Sequence, residues 1–360
     1  GGAYLPIMSD ETLMVENNGS IFLAGPYLVK AAIGEDIDAE TLGGATTHNT
    51  MSGIADYQFK TEEECLDRVK SIVGKFGDKP KAGFNRITAK DPLTPIGEIY
   101  NVQNVGNTKA YDVVNIIKAI VDNSELEQFK EHYGKTIVCG YARINGWAVG
   151  IVANQRTIVK TAKGEMQLGG VIYNDSADKA ARFVMNCNQK NIPLVFLQDV
   201  TGFMVGSRSE HSGIIKDGAK MVNAVSNSVV PKITIIIGNS YGAGNYAMCG
   251  KAYDPRFIYA WPSAKIAVMG GEQAAKTLMQ IQTASMKAKG EEVDAEKEKE
   301  ILNSIKAKYN SQTTPYYAAA RLWVDEIIDP ADTRRRIANA IEAANHNPHI
   351  ADFKTGVFQV

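Results

Sequence analysis

The feature that most constrains the fold is a glycine-rich turn directly after a buried apolar strand. Residues 233–237 read Ile-Thr-Ile-Ile-Ile and lie between Pro231 and Gly238, which is typical of a buried strand. Residues 238–250 then read Gly-Asn-Ser-Tyr-Gly-Ala-Gly-Asn-Tyr-Ala-Met-Cys-Gly, and their second half favours the first turn of a buried helix. A strand, a tight turn and a helix start predict backbone N–H groups that converge on one point.

The converging N–H groups have two possible roles. The first N–H groups of a helix have no partner within it, and its dipole favours negative charge, so such a turn can bind an anion or a developing oxyanion. Alternatively, the glycines only allow close packing, since an isolated glycine-rich turn is weak evidence of a site. The turn itself leaves both interpretations open.

Length and composition narrow the class of protein. A chain of 360 residues predicts about two domains, and 44% hydrophobic residues are enough for a large core. The net charge of −1 gives no reason to expect a nucleic acid or a membrane surface as partner. Lys232 interrupts the best apolar run, so we expect no spanning helix.

The cysteines and histidines predict no metal site in this chain. The four cysteines lack CxxC spacing and suit reduced thiols in a reducing compartment. The five histidines form no HExxH motif.

The N-terminal third predicts a domain of its own. Residues 12–15 and 20–24 are short apolar runs separated by an Asn-Asn-Gly turn, which predicts a strand pair. Thr61 and Glu64 form a capping box that begins a helix. Residues 77–95 are polar and contain three prolines, so we place the boundary there, with domains at 1–94 and 95–360.

The remainder predicts an α/β fold, because strands alternate with helices and glycine-rich loops follow the strands. Residues 137–144 and 147–154 predict a hairpin through an Asn-Gly turn. The strand at 193–198 runs into a glycine-punctuated loop at 199–206. The basic run at 334–336 is interpreted as a solvated helix face.

A short internal echo suggests a second turn of the same kind. The first residues, Gly1-Gly2-Ala3-Tyr4, resemble residues 242–246, and each cluster leads to a methionine, Met8 or Met248. Two such turns would suit chemistry that forms two enolate-like anions.

Longer motifs carry a family resemblance over essentially the whole chain. These are Gly1-Gly-Ala-Tyr-Leu-Pro-Ile-Met-Ser-Asp10, Leu42-Gly-Gly-Ala45 with Ser52-Gly53, Pro95-Ile-Gly-Glu-Ile-Tyr100, Thr201-Gly-Phe-Met-Val-Gly206, Gly218-Ala-Lys-Met221, Ser240-Tyr-Gly-Ala-Gly-Asn-Tyr246, Met269-Gly-Gly-Glu-Gln-Ala-Ala275, and Ala320-Arg-Leu-Trp323 with Ile328-Asp-Pro330. With these motifs the chain resembles the carboxyltransferase (β) subunits of biotin-dependent acyl-CoA carboxylases, most closely the methylcrotonoyl-CoA carboxylase type.

The resemblance implies two crotonase-like domains of ββα spiral topology, the first receiving acyl-CoA and the second biotin. It implies a homo-oligomer, a dimer-built hexameric ring, and a partner α subunit that carries biotin and houses biotin carboxylase. The cofactors implied are biotin on that partner and a coenzyme A thioester substrate. The implied compartment is the cytoplasm, or the mitochondrial matrix in a eukaryote.

The resemblance also assigns roles to individual residues. Backbone amides of Gly242, Ala243 and Gly244 are expected to hold the biotin ureido oxygen, and those of Gly1 and Gly2 the thioester enolate. The expected biotin-binding residues are Phe203, Val205, Gly206 and Tyr241. For Phe203 and Val205, ordinary core packing is an equal alternative. The biotin nitrogen takes the substrate proton, so no side-chain base is implied.

The chain departs from the family pattern at its start. Family members are considerably longer at the N-terminus, so we expect this chain to be a truncated, processed or partial form, or to be completed by a separate chain that supplies the missing half. Much of the CoA nucleotide site would then lie elsewhere. Gly1 would then carry an amine rather than an amide. Residues 207–211 and Asn239 also differ from the family pattern, which leaves the acyl group open.

Three other functions remain possible from the sequence. One is the carboxyltransferase subunit of a biotin-dependent acyl-CoA decarboxylase, which runs related chemistry in reverse. Another is a crotonase-type hydratase or isomerase, for which Glu272 is the candidate base, although a first-turn helix acid is the commoner role for such a residue. The third is a fragment that serves only in assembly.

Overall fold

The computed structural model describes residues 2–102, 110–289 and 295–358, and the chain divides into two compact units at 79/80. Residues 80–94, which we expected to close the first domain, pack within the second unit. There the Ala82 N–H donates to the Asn345 carbonyl (2.8 Å), and the Asn345 side chain accepts from the Gly83 N–H (3.0 Å). The assignment of one domain to acyl-CoA and the other to biotin stays a prediction.

The first unit is built from short elements. They are α1 (Tyr4–Ile7), β1 (Leu13–Val15), α2 (Pro26–Ile33), α3 (Ala39–Gly43), α4 (Ala45–Thr47), β2 (Tyr57–Phe59) and α5 (Glu62–Val73), with a π-helical turn at His48–Ser52. The predicted strand pair of 12–15 with 20–24 is wrong. β1 instead pairs in parallel with β2, because the partner strand is supplied by a distant segment, while Ser20 makes only an isolated bridge to Gly44.

The N-cap at Thr61 is confirmed, but the return bond of the predicted capping box reaches Lys60, one residue before the cap. The Thr61 hydroxyl accepts from the Glu64 N–H (3.2 Å), and the Glu64 carboxylate accepts from the Lys60 N–H (3.1 Å). The first bond satisfies a donor that has no partner within α5 and explains why the helix begins at Glu62.

The second unit contains the remaining elements. They are α6 (Glu98–Val102), α7 (Val113–Ile120), β3 (Glu127–Gln128), β4 (Ile137–Ile144), β5 (Trp147–Asn154), β6 (Val159–Lys160), β7 (Met166–Gln167), β8 (Val171–Ile172), α8 (Asn174–Gln189), β9 (Leu194–Val200), β10 (Gly202–Phe203), α9 (Ser207–His211), α10 (Ile214–Ser226), β11 (Lys232–Tyr241), α11 (Gly242–Ala247), β12 (Phe257–Ala260), β13 (Lys265–Ala267), α12 (Gly271–Ala288), α13 (Ala295–Gln312), α14 (Pro315–Ala319), β14 (Glu326–Ile327) and α15 (Thr333–Asn345). Single 3₁₀ turns occur at Asp122–Ser124, Lys251–Tyr253 and Pro330–Asp332.

A mixed sheet organises this unit, in the order β14-β12-β11-β9-β5-β4-β3, with β13 also paired to β11. Within this sheet β5, β9, β11, β12 and β14 run parallel to one another, as does β13. β4 pairs antiparallel with both β5 and β3. Apolar side chains on one face of the sheet pack against α7 and α15, and those on the other face pack against α8 and α10. The predicted α/β fold is therefore confirmed for this unit.

The hairpin predicted from Asn145 and Gly146 is confirmed residue for residue, with Ile137 opposite Asn154 and Ile144 opposite Trp147. Both turn residues have positive φ, 50° and 83°, as an Asn-Gly hairpin turn requires. Their N–H groups donate to the Asp122 carboxylate at 2.8 and 2.9 Å.

The basic run at 334–336 is only partly a solvated face. The Arg335 side chain is 57% exposed and pairs with Asp332, as expected of a surface residue. The Arg334 side chain is largely buried, and its guanidinium donates to the Asp122 carboxylate at 2.6 Å. The run was misread because the partner of Arg334 lies far away in sequence.

Within the described ranges, no helix combines the length and apolar character needed to cross a bilayer.

Candidate active site

The turn after β11 has a backbone conformation that requires glycine. β11 ends at Tyr241, and Gly242 takes a left-handed φ of 53°. A Cβ at Gly242 would lie 2.8 Å from the Val268 carbonyl oxygen, so a larger residue would clash as well as be strained. The chain can therefore turn sharply here and begin α11 at once.

The next two residues, Ala243 and Gly244, differ in exposure and in the reason for their small size. Ala243 is exposed, and its N–H lies in the first turn of α11, where donors have no partner within the helix. Gly244 is buried, and a Cβ there would press on Val200 and on the Cα of Gly202. Close packing therefore explains the glycine at 244, while Gly242 and Ala243 form the accessible edge of the turn.

A cavity of about 800 Å³ opens at this edge. Gly242 and Ala243 line one side of it, and Val268 closes over them. Its other walls are largely apolar and aromatic, and they include Ile258, Ile266, Ala252, Tyr246, Tyr317 and Trp323. The turn thus lies at the edge of a space whose one charged lining side chain, among the described residues, is Lys251. Backbone donors that face such a space act strongly on developing charge.

A series of side-chain hydrogen bonds connects α11 to β11 and β9 next to the turn. The Asn245 amide donates to the Ser240 hydroxyl (2.7 Å), which donates to the Gln198 side-chain oxygen (2.7 Å). The Gln198 amide in turn donates to the Met248 carbonyl (2.6 Å). Sequence reasoning missed this series, although polar residues within two apolar strands were a usable signal.

A bulge in β11 sits just before the turn. The register with β9 runs from Ile236 to Ser240 on β11 but only from Gln198 to Val200 on β9. The Asp199 carboxylate fills the bulge and accepts from the Asn239 N–H at 2.8 Å. A Cβ at position 238 would overlap this carboxyl group, which explains Gly238.

Asp199 is in turn held by two side chains. The Tyr111 hydroxyl donates to its Oδ2 (2.9 Å), and Nε of Arg156 lies 3.2 Å from the same oxygen. Burial raises the pKa of Asp199, and the Arg156 charge offsets part of that effect. Burial and the Asp199 charge also raise the pKa of Tyr111 well above its ordinary value. This network was not foreseen from the sequence, since its members come from three distant segments.

The predicted biotin-binding residues do not all gather at the turn. Tyr241 is buried beneath it, and burial followed by the nearby Asp199 charge raises its pKa to about 12. Phe203 is half-buried and packs its ring over Gly218 of α10. Val205, 76% exposed, and Gly206 line a different cavity of about 820 Å³ beside the β6–β7 hairpin. Phe203 is thus packed against the core and Val205 is not, and a role in binding biotin stays a prediction for both.

The turn predicted at the start of the chain is less constrained. Gly1 lies outside the described residues. Gly2 is exposed, and a Cβ there would meet nothing within 4 Å. The helix that follows, α1, buries none of its residues.

Glu272 lacks the environment of a general base. Its side chain is 77% exposed and pairs with Lys306 at 3.2 Å. The hydrogen bond and charge of Lys306 lower the pKa of Glu272, whereas a catalytic carboxylate base usually has a raised pKa. Glu272 also lies outside the cavity at the turn. Across the part of the chain that the structure describes, no group of three or more His, Cys, Asp or Glu residues is arranged to hold a metal ion.

The profile of the carboxyl transferase domain matches residues 1–357. The chain belongs to the carboxyl transferase domain family. Among its relatives, the mitochondrial methylcrotonoyl-CoA carboxylase beta chain of Arabidopsis thaliana is 47% identical over 366 residues, which cover 100% of this chain and 60% of that protein. The biotin-dependent 3-methylcrotonyl-coenzyme A carboxylase beta1 subunit of Mycobacterium tuberculosis is 45% identical and covers 100% of this chain and 65% of that protein.

Solved structures agree with this membership. The beta subunit of the P. aeruginosa geranyl-CoA carboxylase has a TM-score of 0.77 and 38% identity, covering 100% of this carboxyl transferase chain and 64% of that subunit. The transcarboxylase 12S structure, described as a hexamer assembly with hydrolysed methylmalonyl-coenzyme A bound, has a TM-score of 0.64 and 36% identity, covering 66% of its chain. This family member therefore spans about two thirds or less of the relatives it matches.

Proposed function

We propose that this chain is part of the carboxyltransferase of a biotin-dependent acyl-CoA carboxylase, acting on a substrate similar to 3-methylcrotonoyl-CoA. The observation that carries the proposal is the Gly242 turn, whose first residues line a largely apolar cavity. Family membership and the names of the relatives at 45–47% identity support the substrate class. The proposed fold of the full enzyme is a pair of crotonase-like domains.

The residues at the turn fit the head group of biotin. That group is a compact, uncharged bicycle with one ureido oxygen, and the cavity offers apolar and aromatic walls with backbone donors at one edge. When bound, carboxybiotin would supply CO2 through cleavage of its N–C bond, and a ring nitrogen to accept the substrate's α or γ proton. The amides of Gly242 and Ala243 would hold the ureido oxygen as negative charge develops on it.

The amides of this chain supply the electrostatic part of the reaction. Each well-placed oxyanion donor typically lowers the barrier by about 3 kcal/mol. The bulge around Asp199 and the series of hydrogen bonds from Asn245 to Gln198 hold the turn in place before substrate arrives, so little reorganisation is needed during the reaction. Loss of the substrate proton leaves an electron pair as an enolate, which forms the new C–C bond to CO2. We propose that Gly2, with Gly1, contributes to the site for that enolate.

The proposed partners follow from the same assignment. A subunit that carries biotin and forms carboxybiotin from ATP and bicarbonate must deliver the CO2. A homo-oligomer is proposed because the transcarboxylase 12S neighbour is described as a hexamer. The proposed compartment is the cytoplasm or, in a eukaryote, the mitochondrial matrix, as the name of the Arabidopsis relative suggests.

The test is a carboxylation assay on the natural polypeptide that contains this chain, together with its biotin-carrying subunit. Incorporation of radiolabelled bicarbonate is measured with 3-methylcrotonoyl-CoA, geranyl-CoA, propanoyl-CoA and acetyl-CoA. We expect ATP-dependent and avidin-sensitive carboxylation, fastest with 3-methylcrotonoyl-CoA. No biotin-dependent transfer to any of the four thioesters would overturn the proposal.

A pair of variants then tests the role of the turn. Ala243→Pro removes one N–H in the first turn of α11, where proline is otherwise tolerated, and Ala243→Ser keeps that N–H. We expect kcat to fall about 100-fold or more in the proline variant, and far less in the serine variant. Equal losses in the two variants would show that the amide is not a donor in the reaction.

The decarboxylase alternative has some support, because a relative at 34% identity is named methylmalonyl-CoA decarboxylase subunit alpha. Its prediction differs in direction. The polypeptide would decarboxylate a carboxyacyl-CoA in the presence of free biotin but would not work with an ATP-dependent biotin carboxylase.

A further inference from the structure

One tyrosine hydroxyl holds the segment that closes over the Gly242 turn. Tyr309 lies on α13, and its hydroxyl donates to the Met269 carbonyl at 2.9 Å. The same hydroxyl oxygen accepts from the Met269 N–H at 3.1 Å. Both polar groups of a single residue are therefore satisfied by one side chain from a separate helix.

The two hydrogen bonds matter for the turn because Met269 directly follows Val268. The Met269 N–H and the Val268 carbonyl belong to the same planar peptide unit, and in a trans peptide they point in opposite directions. The Val268 carbonyl oxygen lies against Gly242, at 2.8 Å from where a Cβ would be. Fixing the N–H edge of this peptide therefore fixes the carbonyl edge that packs on the turn.

Other contacts of α13 and the residue after it also hold the segment that contains Val268 and Met269. The Ile266 N–H donates to the Thr313 carbonyl at 2.9 Å, just beyond the end of α13. Lys306 pairs with Glu272 at 3.2 Å. Tyr309 and Thr313 themselves line the cavity beside Gly242 and Val268. The segment from β13 to the start of α12 is thus attached to α13 at several points, and the contact of Tyr309 falls on the residue directly after Val268.

We propose that Tyr309 is a positioning residue for the carboxyl transfer, acting through the 268–269 peptide on the Gly242 turn. This inference rests on the proposed function, because its effect is on the amides that would hold the developing oxyanion. Tyr309 sets the orientation of the turn, and through it the rate of transfer. The acyl-CoA substrate, which we assign to other residues, is bound independently of it.

The experiment compares Tyr309→Phe with Tyr316→Phe in the assembled carboxylase. Tyr309→Phe removes only the hydroxyl and keeps the ring that packs against the cavity. Tyr316 is 64% exposed, belongs to the adjacent helix α14 and does not line the cavity, so Tyr316→Phe is a matched control. Steady-state kcat, KM for 3-methylcrotonoyl-CoA and the midpoint of thermal unfolding are measured for both.

We expect Tyr309→Phe to lower kcat roughly threefold to tenfold, the range of one net hydrogen bond. KM for the acyl-CoA should match that of the control, and the unfolding midpoint should stay within about 2 °C of it. Hydrogen exchange gives a readout that does not need activity: the Met269 amide should exchange faster in Tyr309→Phe than in Tyr316→Phe.

The outcomes separate this inference from the function on which it rests. If the wild type transfers CO2 but kcat is the same in both variants, the positioning role is wrong and the proposed function stands. If kcat falls only in proportion to lost folded protein, or KM rises with kcat unchanged, the positioning role is also wrong. If the wild type shows no biotin-dependent transfer, the proposed function fails, and the positioning role fails with it. An unaltered Met269 exchange rate would overturn the structural part directly.

Discussion

The two glycine-rich turns of this chain look alike in sequence but differ in packing. At Gly242 the backbone is left-handed, and the Val268 carbonyl leaves no room for a side chain. At Gly2 a Cβ would meet nothing within 4 Å, and the following helix buries no residue. Glycine spacing therefore identifies a possible turn, but the neighbours decide whether that turn is held rigidly.

The secondary-structure elements next to the two turns also differ in how deeply they are buried. β11 is buried along its whole length, and strands pair with it on both sides. In the first unit the described core consists of Met14, Ala45 and Ala55 with Ile21 packed against them, and α2 and α5 bury none of their residues. A catalytic donor must be held in place before the reaction, so the second unit supplies the stronger support.

The largest expected effect comes from adding one methyl group to each turn. Gly242→Ala should lower kcat for carboxyl transfer by about 100-fold or more, because the Cβ displaces either the turn or the Val268 peptide and misplaces its donors. Gly2→Ala should lower kcat much less, since its Cβ enters open space and its N–H remains. Steady-state kinetics on the assembled enzyme measure both. An equal fall in kcat in both variants would show that the two turns are equally constrained.

The second prediction concerns the frame of the second unit. Arg334→Gln should lower the free energy of unfolding by about 3 kcal/mol, because it leaves the buried Asp122 carboxylate without its ionic partner. Arg335→Gln, its neighbour on the same helix, should cost less than about 1 kcal/mol, because its pair with Asp332 is exposed. Urea denaturation followed by circular dichroism measures the difference. Similar losses for both would contradict the buried role of Arg334.

The contribution of Asp122 should also depend on pH. Burial alone would raise the pKa of Asp122, but hydrogen bonds from Arg334 and from the Lys90 and Gly146 backbones outweigh it and hold the pKa below 3.8. A carboxyl group whose pKa is lower in the folded state stabilises that state above its ordinary pKa, and this contribution is lost as the pH falls through the folded value.

Asp122→Asn should therefore destabilise the protein most near neutral pH, by about 2–3 kcal/mol, with the difference from wild type shrinking below pH 3.8. Urea denaturation over a series of pH values measures this. A difference that stays constant with pH would show that the pKa of Asp122 is not lowered.

The smallest effect is expected in the first unit. Thr61→Ala removes the side chain that accepts from the Glu64 N–H at the start of α5, and should cost about 1 kcal/mol. Thr61→Ser keeps the hydroxyl and should cost only a fraction of that. Thermal unfolding monitored by circular dichroism compares the two. If alanine and serine were equivalent, the cap would not contribute to stability.

Local patterns in the sequence predicted local structure well. The Asn145–Gly146 hairpin and the cap at Thr61 depend on residues within a few positions of one another, and both are confirmed. The order of buried strand, glycine turn and helix is confirmed for the same reason, but the predicted bounds were wrong. The strand runs past Gly238 to Tyr241, and the helix begins at Gly242 rather than after the glycines. The predicted strand pair in the first unit failed because β1 takes its partner from β2, beyond the reach of a local pattern.

Long-range contacts decided what the sequence left open. Of the three consecutive arginines, Arg334 is the one that pairs with Asp122. Near the turn, Asp199 binds the side chains of Arg156 and Tyr111, which come from other segments. Residues that the sequence assigned to one site were also separated, since Val205 lines one cavity while Gly242 and Ala243 line another.

The sequence by itself therefore determined the family, the α/β class of the second unit and the presence of a glycine turn after β11. Only the tertiary structure decided that Gly242, and not Gly244, combines a left-handed backbone with an open cavity, and that the Val268 carbonyl, held through Tyr309, packs against it. The physical reason is that propensity and capping act over a few residues, whereas the space around a backbone amide is set by segments that fold back from elsewhere in the chain.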